Sequence, residues 1–207
     1  MGRQGENMPA KNQDLHGSAP DSSPVALLLI DFINDLEFEG GEKILERAVA
    51  AASRAAELKR RAKSCGVPAI YVNDNFGRWQ SNFNNLIEHC LRDGVRGRPL
   101  VQRLLPEPDD YFVLKPKHSG FFSTTLDVLL DYLHARTLVL TGIATNVCVL
   151  FTANDAYMRD FHLAVPQDCV AALTDEEHRW ALDQMERILK ADTGPSAQLD
   201  FERLKLQ

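Results

Sequence analysis

Apolar positions along this 207-residue chain fall into two interleaved patterns. Short continuous apolar runs recur at Val25–Asp31 (VALLLID), Pro68–Asn73 (PAIYVN), Phe112–Lys115 (FVLK), Thr137–Thr141 (TLVLT) and His162–Val165 (HLAV). Runs of this kind suit strands covered on both faces. Between them lie segments with apolar residues at helical spacing: Glu42–Ser64, Thr124–His134, Asn146–Arg159 and Asp175–Leu189. Cys65-Gly66-Val67-Pro68 closes the first of these, and Thr174 stands as an N-cap for the last. Asp74–Gly97 reads as a loop with a short helix near Asn84–Leu91, and Leu199–Leu206 as a final turn. Alternation of strand and helix predicts βαβ units, hence an α/β fold with a mostly parallel central sheet between two helical layers. Residues 24–207 are expected to form one domain.

Composition adds few surprises and several exclusions. A hydrophobic content of 44% supports a real core. A net charge of −6 and a pI near 5.5 argue against a nucleic-acid partner, which calls for a basic face, and leave a small molecule as the expected one. No apolar run approaches the ~20 residues of a spanning helix, so no membrane association is expected. The first 23 residues are polar, lack the apolar stretch of a secretory signal and are expected to form a disordered tail. Cysteines at 65, 90, 148 and 169 show no paired metal-ligand spacing. They are expected to be free thiols in a reducing cytoplasm.

In a parallel sheet, ligands bind outside the carboxyl ends of the strands. Three reactive residue types occupy such ends: Asp31 closes the first run, Lys115 the third, and Cys148 follows the fourth at the start of a helix. A helix N-terminus favours a thiolate through its free N–H groups and dipole. Together the three suit acyl transfer, with the thiolate attacking a carbonyl, the carboxylate moving a proton and the lysine supplying positive charge. Singly, each has an ordinary explanation: a packed cysteine, a capping carboxylate, a loop lysine.

LLLIDFINDLEF, VLKPKHSGFFSTTLDVLL, LVLTGIATNVCVLFTANDAYMRDF and VPQDCVAAL, in this order and spacing, resemble the signature segments of the isochorismatase-like cysteine hydrolases. Nicotinamidases and N-carbamoylsarcosine amidases belong to that family. The resemblance covers about Val25–Leu189 and implies a Rossmann-like hydrolase fold with Asp31, Lys115 and Cys148 as catalytic residues. It also implies a cis peptide between Ile143 and Ala144, and an oxyanion hole formed by the backbone N–H groups of Ala144 and Cys148. Asp168 matches a usual aspartate after the fifth strand. Homodimers or homotetramers are the family's common assemblies.

Departures from the family pattern narrow these expectations. Nicotinamidases carry Asp-x-His and a further histidine after the second strand as metal ligands. Here VNDNFGRWQSNF keeps Asp74 but places Phe76 at the histidine position, so neither a metal nor another cofactor is expected. His89 reads as an ordinary helix-surface residue, and Ile33 replaces a usual glutamine. Asn34, Phe76, Trp79, Lys117 and Phe121 are the candidate substrate-binding residues. The expected activity is cysteine-dependent hydrolysis of a small amide, carbamoyl or ureido C–N bond through a thioester. Vinyl-ether hydrolysis without covalent catalysis, and a non-catalytic binding or redox-sensing role, remain the alternatives.

Overall fold

A computed structural model describes residues 22–77 and 82–206. Within these residues six strands, β1 (Val25–Ile30), β2 (Ala69–Asp74), β3 (Tyr111–Lys115), β4 (Thr137–Ile143), β5 (His162–Ala164) and β6 (Val170–Ala171), form one parallel sheet. The order is β3-β2-β1-β4-β5, with β6 paired to β4 beyond β5. Among the described residues, seven α-helices accompany them: α1 (Gly41–Ser64), α2 (Phe83–Cys90), α3 (Arg98–Arg103), α4 (Leu126–Leu133), α5 (Leu150–Tyr157), α6 (Asp175–Arg187) and α7 (Phe201–Leu204).

β1 shows how its sequence specifies three layers. Val25, Leu27 and Leu29 join the core beneath α1, α2, α3 and α7, whereas Ala26, Leu28 and Ile30 join the core beneath α4, α5 and α6. A strand loaded on both faces has no polar side to show, which explains its unbroken apolar run. The chain runs outward from β1 to β3, returns to β4 and then runs the other way. Right-handed crossovers therefore place α1, α2 and α3 on one face and α4, α5 and α6 on the other. The reversal falls between β1 and β4, where doubly wound sheets open a crevice at their carboxyl ends.

Several boundaries differ from the sequence reading. Gly97-Arg98-Pro99 has the character of a loop, yet α3 begins there, with Leu100 and Val101 fully buried. Gly97 permits that packing: a Cβ there would lie 1.9 Å from the Asn34 carbonyl oxygen. The helix expected from Asn146 begins instead as a π-turn over Thr145–Val149 before α5. β6 is too short to show in the sequence. Ser23, assigned above to the tail, is buried, and its N–H donates to the Leu133 carbonyl, so the folded body begins by that residue. The rest of the expected tail lies outside the described residues. Among the described residues, no helix is long and apolar enough to cross a membrane.

Candidate active site

Asp31 follows β1 directly, in the left-handed region at φ 53°. Aspartate tolerates this conformation better than most residues. Its own N–H still donates to the Val72 carbonyl, as if the strand continued, while its Oδ1 accepts the Asp74 N–H at 2.7 Å. The neighbouring loop is fixed by similar means. Asn34 Oδ1 accepts the Leu36 N–H, and buried Asn73 donates its amide to the Ile33 carbonyl. Gly97 N–H donates to the Asp35 carbonyl.

Lys115 ends β3 with its side chain fully buried. Its Nζ lies 2.8 Å from Asp31 Oδ2, 3.5 Å from Cys148 Sγ and 3.6 Å from Asp74 Oδ2. Cys148 arrives on the π-turn after β4. Near the end of β4, Gly142 sits at φ 136°, where a Cβ would meet the Ile30 carbonyl oxygen at 2.1 Å. Only glycine lets β4 lie this close to β1 while turning toward the crevice. The peptide Ile143–Ala144 is cis. Cys148 is then held by its carbonyl, which accepts the Thr152 hydroxyl at 2.7 Å; the same hydroxyl accepts the Gly120 N–H at 3.0 Å. The structure thus brings Asp31, Lys115 and Cys148 together from three strand ends.

Their ionisations are coupled through burial and mutual contact. Burial pushes the Asp31 carboxyl above its ordinary value, with Lys115 opposing that shift. Burial first, and the Asp31 charge second, push the Cys148 thiol up, with Lys115 opposing. Lys115 loses some basicity to burial, but Asp31, Cys148 and Asp74 more than restore it, so its ammonium is held. Acid and thiol are thus both shifted upward, while Lys115 keeps the positive charge between them. The favouring of a thiolate expected from a helix start is opposed at this site by burial and by the Asp31 carboxylate. Cys90 and Cys169, both fully buried, are each pushed up to about 12.

Beside the trio lies a cleft of about 210 Å³, lined on one side by Asp74, Asn75, Phe76 and Leu114 and on the other by Asp35 and α2. Asp74 links the two, lining the cleft while facing Lys115. His89 of α2 lines the cleft, and its Nε2 lies 3.0 Å from Asp35 Oδ2. Neither residue is recognisable as pocket lining from sequence, because the fold alone brings α2 against the β1 loop.

The other candidates are placed unevenly. Phe76, half-exposed, lines the cleft, whereas Trp79 lies outside the described residues. Asn34 is buried with its side-chain oxygen committed to its own loop. Phe121 is a core residue, packed 6.1 Å from Phe161 and covered by Arg159. Lys117 is exposed on the loop after β3. Asp168 accepts both the N–H and the hydroxyl of Ser196, which ties the C-terminal segment to the turn before β6. A nicotinamidase-type metal does not fit here. Asp74 is committed to the Phe76 N–H and faces Lys115, and Phe76 offers no ligand atom. Among the described residues, the trio Glu107, Asp109 and Asp110 has metal-ligand spacing, but it surrounds Lys63 at the opposite end of β3.

A family model described as the isochorismatase domain matches residues 25–193. An uncharacterized isochorismatase family protein, YaaI of Bacillus subtilis, is 40% identical over 174 residues, covering 84% of this chain and 95% of that protein. Ureidoacrylate amidohydrolase RutB of Methylorubrum extorquens is 30% identical over 186 residues, covering 77% and 74% respectively. Among solved structures, N-carbamoylsarcosine amidase from Thermoplasma acidophilum superposes with a TM-score of 0.65 at 26% identity, covering 85% of this chain and 98% of that one.

Proposed function

We propose that this chain, which belongs to the isochorismatase family of hydrolases, cleaves the C–N bond of a small amide, carbamoyl or ureido compound by cysteine catalysis. The observation that carries this reading is the buried Lys115 ammonium, 2.8 Å from the Asp31 carboxylate and 3.5 Å from the Cys148 sulfur. A lysine so placed keeps Asp31 ionised in a dry site and lowers the cost of a thiolate when one forms. The amidohydrolase name of one relative and the amidase title of one structural neighbour support the bond class.

The sequence of steps follows from the groups present. With substrate in the cleft, Asp31 takes the Cys148 proton as the sulfur attacks the carbonyl carbon. The backbone N–H groups of Ala144 and Cys148 receive the developing oxyanion. Asp31 returns the proton to the leaving nitrogen, the C–N bond breaks, and an S-acyl enzyme remains. Water, deprotonated by Asp31, then attacks the thioester; the acid product leaves and the thiol is restored. Lys115 stays charged throughout and is the fixed counter-ion for whichever neighbour carries the negative charge.

The test is ammonia release from a panel of small primary amides, ureides and carbamoyl compounds, with Cys148→Ala run in parallel. Release that vanishes in the variant is the expected result. Turnover that survives Cys148→Ala would overturn covalent catalysis, and wild-type enzyme silent across the panel would overturn the bond class.

A further inference from the structure

Thr145 lies between the two residues whose N–H groups are assigned above to the oxyanion. It follows the cis peptide, its side chain is fully buried, and its Oγ1 lies 3.0 Å from His178 Nδ1 on α6. The turn it opens is wide, with the N–H groups of both Val147 and Val149 donating to the Ala144 carbonyl. π-turns are rare and less well bonded than α-turns, so side chains have a larger part in holding one. At the far end, buried Thr152 ties Cys148 to the backbone of Gly120. At the near end, the tie runs to a side chain on a separate helix that packs against the turn.

We propose that His178 is a positioning residue for this reaction, holding the Thr145 hydroxyl so that the Ala144–Cys148 segment keeps its working geometry. The inference rests on the reading of Cys148 as nucleophile and goes beyond it by assigning a part to α6. His178 is half-buried over a depression of about 320 Å³. It faces Arg47 and Arg54 of α1, Asp168 of the turn before β6, and Asp175 and Arg179 along its own helix. Burial holds the imidazole below its usual value, with Asp175 opposing and Arg179 and Arg47 assisting. It is therefore neutral at neutral pH, and Nδ1 can pair with the hydroxyl in either tautomer. A protonated ring can only donate, as the Nδ1–H tautomer does, but its positive charge is then repelled by Arg47 and Arg179, which loosens the tie at low pH. Misplacing reacting groups by about 1 Å is enough to cost on the order of 100-fold in rate.

Two variants and two readouts test this. His178→Asn keeps an amide atom near the Nδ1 position but does not titrate, and His178→Ala removes the partner altogether. Steady-state kinetics on an amide turned over by the wild type should show His178→Ala reduced about 10- to 100-fold in kcat with KM nearly unchanged. His178→Asn should retain most of kcat and lose one ionisation from the acid limb of the profile. Thr145→Val should match His178→Ala, and the double variant should be no worse than either. Wild-type kcat in His178→Ala, equal impairment of His178→Ala and His178→Asn, or an additive double variant would each overturn the proposal. The second readout needs no turnover: the rate of Cys148 alkylation by iodoacetamide at fixed pH, followed by mass spectrometry. His178→Ala should differ from wild type by roughly threefold or more and His178→Asn should not. An unchanged rate in His178→Ala overturns the positioning role even if the amidase reading fails, and the kinetic arm separates the two when it holds.

Discussion

Two buried lysine–aspartate pairs stand at opposite ends of β3. At the amino end, Lys59 of α1 pairs with Asp110, their side chains 5% and 1% exposed. At the carboxyl end, Lys115 pairs with Asp31 at 0% and 5%. Burial and partner type are the same, so neither separates structure from chemistry. The remaining partners do. Lys59 also donates to the Tyr71 hydroxyl and the Leu105 carbonyl, and Asp110 accepts the Glu107 N–H; Lys63 supplies a second cation. This cluster holds no proton free to move at neutral pH, since burial with the nearby Asp110 charge pushes the Tyr71 hydroxyl further up. Lys115 has instead a thiol as a further partner, and Asp74, which it also faces, lines a cleft. A buried ion pair is weak evidence for function. A buried ion pair with a movable proton and a way in is much stronger evidence.

The contrast is tested most directly at the thiol. Cys148→Ala should reduce turnover on the order of 10⁴-fold while leaving the melting temperature within a few degrees of wild type; a residual rate near wild type would erase the distinction between the two pairs. Asp31→Asn should cost about 10²- to 10⁴-fold in kcat. Because burial raises the Asp31 value above the ordinary 3.8, wild-type kcat/KM should fall as pH drops through a point above the usual carboxylate range, measurable as the acid limb of its profile. A limb at or below ordinary carboxylate values would contradict the described burial.

Lys59→Met is the matching experiment at the other end. It should lower unfolding free energy by about 3–5 kcal/mol in denaturant titration, since it strands Asp110. Turnover per folded molecule should not change. Loss of kcat in a folded Lys59→Met would show that the two ends are coupled. The smallest effect is expected at Lys63, which is partly exposed. Lys63→Ala should cost at most about 1 kcal/mol and less still at high salt. Lys63 holds Glu107 and Asp109 below the ordinary carboxylate range. Their contribution is therefore present at neutral pH and lost as pH falls through those lowered values, a slope that Lys63→Ala should flatten.

The sequence was most legible where burial is two-sided. β1, β2 and β4 read as unbroken apolar runs because both faces are covered, and the reactive residues at strand ends follow from those runs. Segments whose placement depends on other segments were not legible. α3 is short and opens with Gly-Arg-Pro, so its helicity rests on Leu100 and Val101 being buried by the fold. His89 and Asp35 lie 54 positions apart and share a cleft only because α2 packs against the β1 loop. Asn34 and Phe121 had the right sequence neighbourhood but the wrong orientation, one turned into its loop and the other into the core. For Cys148, the place at a helix start was visible in the sequence, but the carboxylate beside it comes from the other side of the switch point and was not.

On the proposed mechanism, the order of the strands separates the reacting groups from the wall that selects what reaches them. The acid and the thiol come from β1 and β4, adjacent at the centre of the sheet, whereas much of the cleft wall comes from β2 and α2 toward one edge. Asp74 is the residue common to both territories. A lineage built on this plan can exchange the stretch around α2 and alter what it accepts while inheriting its reactive centre unchanged. The same partition tells an engineer where to diversify: positions 75–89 are the place for a library, and the β1–β4 seam is the place to leave alone.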